Sequence, residues 1–332
     1  MGLPRKNKTG TMTELIPGIF VISGITNVGV ITDSKKKEIF LIDTGRTPEQ
    51  GARILEILEK HFGPLTSSAP DKKYSIKAIY NTHAHADHTG ADAFFQIQTG
   101  CQIYLSAAER GILENPFMQS AVLWGGFPPK EFQNSLYTPA AVLHTKLIDF
   151  SKAQSISGPD GSKYVMTFLE LPGHYFGDTG ILLTASNGEK ILFAGDAISN
   201  REELGKYWIQ FMIQPDKCEQ TLQKICQIEN LKCCVPSHGK CISEDLNETA
   251  ELCTIAIYST RQSILKALKK QPLSTEELIS HVAKQHNITM GFGQYNLVSA
   301  TIKSHLSALR EKKQIKGKVV DNKLMWEACK ND

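Results

Sequence analysis

Residues 82–88, which read THAHADH, place three imidazoles and one carboxylate close together directly after a short apolar run. Side chains alternate along a strand, so His83 and His85 are expected to project to the same side. Asp87 and His88 follow at the start of the next predicted helix and can point to a second place nearby. Imidazole and carboxylate are the ligand types that zinc and similar ions prefer. A chance cluster is the alternative, but such side chains beside an apolar strand are hard to satisfy without a metal.

The elements that must position this segment occur in two similar sets. The predicted order is strands at 18–22, 27–32 and 38–43, a helix at 48–61, a strand at 76–80, strands between 145 and 193, a helix at 216–228 and a strand at 232–235. This order suits two sheets packed face to face with helices outside, and it suits them better than a parallel doubly wound sheet. The sequence therefore predicts an α/β fold. Residues 114–145 show no regular pattern and predict a long loop packed through its aromatic side chains.

Four more segments complete a pattern that resembles the metallo-β-lactamase superfamily. The signature HxHxDH is present at 83–88, and the other segments follow the superfamily's order: Leu41-Ile42-Asp43-Thr44-Gly45, Leu171-Pro172-Gly173-His174, Phe193-Ala194-Gly195-Asp196 and Pro236-Ser237-His238-Gly239. The resemblance covers about residues 13–245 and implies a four-layer αββα sandwich. Each later segment is weak alone, but the joint pattern is specific.

The resemblance implies a dinuclear metal centre. The implied ligands are His83, His85 and His174 for one ion, Asp87, His88 and His238 for the other, and Asp196 as a bridge between them. A bridge needs two oxygens, which a carboxylate supplies and an imidazole does not. Asp87 and Asp196 are the expected catalytic carboxylates. We expect two divalent ions, zinc first, with iron or manganese as alternatives because metal identity also depends on availability.

The surroundings of the centre are less determined by the resemblance. Asp43 resembles the carboxylate that orients a ligand histidine in this superfamily, and a turn-capping role before Thr44 is the alternative. After His174 the chain departs from the better-known branches, and Asp178 either bonds a ligand or caps the turn. We expect aromatic side chains to wall an apolar pocket, with ordinary core positions as the alternative, and the candidates are Trp124, Phe127, Tyr175, Tyr207 and Trp208.

The C-terminal module, residues 246–332, resembles a winged helix preceded by a helical linker. Ser274 and Glu277 form the pattern of a capping box, a second helix is predicted at about 295–313, and two short strands flank Asp321-Asn322. From Thr254 onward 13 Lys and Arg face 6 Asp and Glu, a net +7, whereas the rest carries 24 against 28, a net −4. The predicted division is a flexible tail at 1–12, a catalytic domain at 13–245 and this module.

Composition excludes several classes of protein. The 332 residues are 41% apolar and 21% charged, which is typical of a globular chain. No apolar run approaches the ~20 residues that span a bilayer, and residues 1–13 lack the apolar core of a secretory signal. The eight cysteines form no CxxC pair, so we expect reduced thiols. These features predict a cytoplasmic protein without a membrane partner.

Two enzymatic hypotheses and one regulatory hypothesis follow. The leading one is a dinuclear metal-dependent hydrolase, in which metal-bound hydroxide attacks an ester-type bond, a thioester or lactone, of a small substrate. The C-terminal module is then a lid or a dimerisation element, and a homodimer is one expectation. The alternative is a metal-dependent ribonuclease or phosphodiesterase that holds nucleic acid on the lysines Lys312, Lys313, Lys316, Lys318 and Lys323. A metal-sensing DNA-binding regulator would have an incomplete ligand set, whereas all seven implied ligands are present.

Overall fold

The computed structural model describes residues 10–69, 73–135 and 137–329. Within these ranges the first sheet holds seven strands in chain order: β1 (Met12–Ile16), β2 (Ile19–Ile22), β3 (Val28–Asp33), β4 (Glu38–Ile42), β5 (Ser75–Tyr80), β6 (Gln102–Leu105) and β7 (Lys146–Leu147). The second sheet of the described residues holds five: β8 (Ala153–Ser157), β9 (Lys163–Glu170), β10 (Thr179–Ala185), β11 (Lys190–Gly195) and β12 (Leu231–Pro236). Strands β1 to β4 and β8 to β11 pair antiparallel, whereas β4 to β7 and the β11–β12 pair are parallel.

Helices connect the strands and cover the sheets. They are α1 (Pro48–Phe62), α2 (Ala86–Thr89), α3 (Asp92–Thr99), α4 (Arg110–Glu114), α5 (Phe117–Trp124), α6 (Arg201–Lys206), α7 (Pro215–Cys226), α8 (Leu246–Leu268), α9 (Thr275–Gln285) and α10 (Phe292–Glu311). The sequence explains α1 well, because Thr47 caps its first turn and Pro48 occupies the first helical position. No helix in the described ranges is both long and apolar enough to cross a bilayer.

Three apolar clusters stack through the two sheets and the helices that cover them. Between the sheets, Phe40 of the first sheet packs in one cluster with Met166 and Ile181 of the second. On the outer face of the first sheet, buried apolar side chains join those of α1 and α3. On the outer face of the second sheet, Leu192 joins Leu222 of α7 and neighbouring side chains of α8. The predicted four-layer αββα order is therefore confirmed.

The C-terminal module forms a third sheet, in which β15 (Lys323–Ala328) lies between β13 (Leu273–Ser274) and β14 (Ile315–Val320). The predicted capping box at the start of α9 is present. The module's own core includes Ile302 and Leu306 of α10, and it also takes in Ile209 of the catalytic part. The element order is the predicted helix–helix–hairpin order, while the winged-helix assignment and the division at residue 246 stay predictions.

Two expectations about local structure need correction. Residues 114–145 contain α5 and a short 3-10 turn at Lys130–Phe132, because Ser120 anchors the segment through hydrogen bonds to the Phe132 carbonyl (2.6 Å) and Thr138 Oγ1 (2.7 Å). Such contacts are tertiary and leave no periodic pattern. Strand β1 begins at Met12, inside the predicted tail at 1–12, and residues 1–9 of that tail lie outside the described residues.

Candidate metal centre

The predicted ligands leave the sheets at the ends of different strands. His83 and His85 follow β5, His174 lies in the connection between β9 and β10, Asp196 follows β11 and His238 follows β12. These strand ends meet at one edge of the sandwich, so residues far apart in sequence face one another there.

The first cluster consists of His83, His85 and His174. His85 Nδ1 lies 2.8 Å from His83 Nε2 and 3.1 Å from His174 Nε2. His83 is 1% and His85 is 8% exposed. Three imidazole nitrogens so close together form a donor set of the kind that binds a divalent ion.

The second cluster consists of Asp87, His88 and His238, and Asp196 lies between the two clusters. Asp87 Oδ2 is 3.9 Å from His88 Nε2 and 3.5 Å from His238 Nε2. Asp196 Oδ2 is 3.4 Å from His174 Nε2, and its Oδ1 is 3.5 Å from His238 Nε2. The structure thus brings together all seven residues predicted as ligands, and Asp196 reaches both clusters; their metal ligation stays a prediction.

Hydrogen bonds on the outer ring nitrogens orient three of these imidazoles. The bonds join His88 Nδ1 to Asp43 Oδ2 (2.8 Å), His174 Nδ1 to the Phe211 carbonyl (2.9 Å) and His238 Nδ1 to the Ile25 carbonyl (2.7 Å). Since each outer nitrogen must donate, each inner Nε2 keeps a lone pair that points towards the centre. His85 Nε2 and His88 Nε2 are buried without a hydrogen-bond partner among the described residues.

Asp43 contacts more than one neighbour. Its Oδ1 accepts the backbone N–H of Thr82 (2.8 Å), and its Oδ2 accepts the Thr82 hydroxyl (2.8 Å) besides His88. Asp43 itself adopts a left-handed backbone (φ 59°) at the end of β4 and is 1% exposed. The geometry therefore gives this carboxylate the contact that orients a histidine, and a turn cap alone does not describe it.

The charges of the centre suit a cation. Burial lowers the pKa of His85 to about 3 and that of His83 well below its usual value. Burial opposes ionisation of Asp196, but the surrounding imidazoles hold its pKa well below the usual range. Burial also opposes protonation of His238, yet Asp196 and Asp87 raise its pKa to about 9. The buried carboxylates favour a bound cation, and together with the unpartnered His88 Nε2 on the inner side of its ring this donor set fits divalent metal ions.

The centre opens into a cavity of about 930 Å³. Helices α5, α8 and α10 also line this cavity, with side chains that include Gln119, Leu123, Ile257, Leu297 and Val298. Tyr207 lines this cavity as predicted.

Other predicted pocket aromatics lie elsewhere among the described residues. Tyr175 is fully buried behind the centre, where its ring packs on His85 with centroids 4.2 Å apart. Trp124 packs against Phe292 (centroids 5.7 Å apart) at the surface of α5 instead of lining the cavity. Phe127 is 79% exposed, and Trp208 donates to Ser259 Oγ (2.9 Å). None of these four side chains lines the cavity formed by the described residues, and Tyr175 and Trp208 occupy packed positions, the alternative given for them. Their contact with a substrate stays a prediction.

Sequence reasoning missed Glu109. This fully buried carboxylate accepts the backbone N–H of Ala84 between two ligand histidines and that of Gly177 (2.7 Å) after His174. It therefore ties together the two loops that form the first cluster, and no local motif marks it. Asp178, by contrast, caps its own turn by accepting the Tyr175 N–H (2.8 Å), one of the two alternatives for that residue.

The sequence profile of the metallo-beta-lactamase superfamily matches residues 22–233. The chain therefore belongs to this superfamily. Membership and the His and Asp clusters together support a metal-dependent hydrolase. No match was found among curated proteins.

Solved structures of similar fold extend beyond the matched region. A beta-lactamase domain protein from Burkholderia ambifaria is 14% identical, with 98% of this chain and 96% of that chain covered and a TM-score of 0.71. A metallo-beta-lactamase family protein from Thermus thermophilus is 17% identical, with 95% and 100% covered and a TM-score of 0.68. A subclass B3 metallo-beta-lactamase of Bradyrhizobium japonicum is 17% identical, with 92% and 94% covered and a TM-score of 0.51. At these identities the similarity concerns the fold.

Proposed function

We propose that this protein hydrolyses an ester-type bond, a thioester or a lactone, of a small substrate with the help of two divalent metal ions. The observation that carries the proposal is the position of the joined His and Asp clusters at the base of a cavity of about 930 Å³. Cavities of roughly 300–1,000 Å³ suit small ligands. Helix α10 of the C-terminal module contributes side chains to the lining of this cavity, which supports a role for the module as a lid.

The first ion would be held by His83, His85 and His174, the second by Asp87, His88 and His238, with Asp196 shared. Zinc is our first expectation because imidazole and carboxylate donors suit it, and iron and manganese are the alternatives. When bound, such ions supply Lewis acidity towards a carbonyl oxygen and lower the pKa of water.

The side chains of the chain have separate tasks in this proposal. Asp196 orients the attacking water and accepts its proton on a carboxylate oxygen, because it lies between both clusters. The new bond joins the water oxygen to the acyl carbon, the bond from that carbon to the leaving sulfur or oxygen breaks, and the leaving group takes up the proton. The apolar side chains of Leu297 and Val298 keep bulk water away from the acyl group.

The ribonuclease alternative has weaker support from the structure. Lys312 pairs with Asp216 (2.7 Å), and Lys316 and Lys318 both pair with Glu327 (3.2 and 3.6 Å). These ion pairs offset part of the positive charge that a nucleic-acid surface would need.

All eight cysteines are free thiols, which supports the proposed cytoplasmic location.

The test measures hydrolysis of an acyl thioester and a lactone by the zinc-loaded protein, Asp196→Ala and the control Asp160→Ala on an exposed turn. We expect kcat/KM to fall at least about 100-fold in Asp196→Ala alone, as loss of a group acting on the reacting atoms does. Equal activity of Asp196→Ala and wild type would refute the proposed role. Inactivity of the wild type on both substrates, with cleavage of single-stranded RNA, would replace the proposal with the nuclease alternative.

A further inference from the structure

An unpaired guanidinium lies at the edge of the candidate metal centre. Arg46 lines the cavity together with His85 and Asp87. Its Nε is buried without a hydrogen-bond partner, and no carboxylate of the described residues forms an ion pair with it. Arg46 helps to lower the pKa of Asp87, but the Asp87 carboxylate already faces the imidazoles of the second cluster. A partly buried charge without a partner is costly, so a ligand that supplies the missing negative charge would be favoured.

The backbone holds Arg46 firmly beside the ligand helix. Gly45 has a left-handed φ of 84° and bridges to Thr89, and the Gly90 N–H donates to its carbonyl (2.8 Å). The Arg46 N–H donates to Gln50 Oε1 (2.7 Å). A Cβ at Gly90 would overlap the Arg46 carbonyl oxygen, so this close approach requires glycine. The backbone of Arg46, which carries the guanidinium side chain, is therefore held in a fixed position next to α2.

Two more polar side chains face the same cavity from the segment after α4. Gln119 of α5 is 3% exposed and lines this cavity, where its side-chain amide can donate through Nε2. Tyr137 also lines the cavity. A guanidinium fork, an amide and a phenol together offer donors that match the planar pair of oxygens of a carboxylate.

We propose that Arg46, with Gln119 and Tyr137, binds a free carboxylate of the substrate at the end remote from the bond that is cleaved. The substrate class is then a monoester or monothioester of a dicarboxylic acid, and hydrolysis releases the dicarboxylate. This inference rests on the proposed hydrolase function, but the binding site itself can be tested without turnover.

The kinetic test compares the succinyl and butyryl thioesters of N-acetylcysteamine, which match in length and differ in the terminal carboxylate. We expect the wild type to prefer the succinyl thioester at least about tenfold in kcat/KM, the lower end for hydrogen bonds to a charged group. The preference should fall to about one in Arg46→Gln, be intermediate in Arg46→Lys, which keeps the charge without the fork, and persist in the control Arg310→Gln on the exposed end of α10. Absence of a preference in the wild type, or its persistence in Arg46→Gln, would overturn the proposal.

The binding test titrates succinate, butyrate and phosphonopropionate into the same metal-loaded proteins by calorimetry, with thermal unfolding as a check that each variant is folded. We expect succinate to bind more tightly than butyrate only when Arg46 is present. Tighter, Arg46-dependent binding of phosphonopropionate than of succinate would overturn the carboxylate in favour of a phosphate-like group. If the wild type cleaves neither thioester but shows the Arg46-dependent succinate binding, the hydrolase proposal fails and the carboxylate site stands.

Discussion

Substitution of Asp43 by Asn tests how the fold prepares the centre for metal. The carboxylate accepts one bond from the Thr82 backbone N–H on Oδ1 and the His88 Nδ1–H on Oδ2. An Asn side chain has one oxygen, and the backbone N–H can only donate, so the oxygen must remain on that side. The amide NH₂ then faces His88 Nδ1, which must become the acceptor. The proton moves to Nε2, and the lone pair aimed at the second cluster is lost.

The expected magnitude follows from this change of tautomer. Loss of a partner that orients a ligand histidine typically weakens metal binding by about 10- to 100-fold, or about 1.4–2.7 kcal/mol. The unfolding free energy should fall less in Asp43→Asn than in Asp43→Ala, because the hydrogen bond to the Thr82 N–H persists. In Asp43→Ala three donors, the Thr82 N–H, the Thr82 hydroxyl and His88 Nδ1–H, lose this acceptor, and each donor left unsatisfied costs roughly 1–3 kcal/mol of unfolding free energy.

The assay is a competition titration of zinc against a chromogenic chelator, with thermal unfolding of the metal-free proteins alongside. Asp33→Asn is the matched control, because Asp33 is also 1% exposed and accepts backbone N–H bonds from Lys35 (3.1 Å) and Lys36 (3.0 Å) away from the centre. The reasoning is refuted if Asp43→Asn binds both zinc ions within twofold of wild type, or if Asp33→Asn weakens zinc binding equally.

Three further predictions use the same preparations. In Glu109→Gln the side-chain NH₂ must face the backbone N–H of Ala84 or of Gly177, so one of these hydrogen bonds is lost. Denaturant titration should show that the unfolding free energy falls by about 1–3 kcal/mol, whereas the exposed control Glu131→Gln shows no such loss. Equal losses in the two variants would contradict this prediction. Burial raises the pKa of Asp92 from 3.8 to about 7, so the folded chain keeps a proton that the unfolded chain releases, and this contribution to stability is lost as pH rises towards 7. Asp92→Asn should therefore gain stability relative to wild type between pH 4 and 7, by up to about 4 kcal/mol in unfolding experiments, and a difference independent of pH would disprove it. Removal of metal by a chelator should lower the Tm and zinc should restore it, because an ion at 100 times its Kd stabilises by about 2.7 kcal/mol; an unchanged Tm would argue against a metal bound by the folded state.

Much of the fold and the identity of the ligands could be predicted from sequence alone. Short apolar runs and the capping box of α9 are local, because they depend on near neighbours along the chain. The ligand segment after β5 is also local, since alternation along the chain puts His83 and His85 on one side. The structure within residues 114–145 could not be predicted in this way, because Ser120 stabilises this segment through contacts that leave no periodicity in the sequence.

What surrounds the ligands was decided by the tertiary structure. Glu109 braces two loops that are 25 and 68 residues away from it in sequence, and no pattern near Glu109 records those partners. Tyr175 follows a ligand histidine directly, yet it packs behind His85 instead of facing the cavity. Residue types in five short segments, through their resemblance to the superfamily, were enough to name the seven candidate ligands. The direction of a loop side chain and the long-range partners of a buried charge depend on how distant segments pack, and only the folded chain determines them.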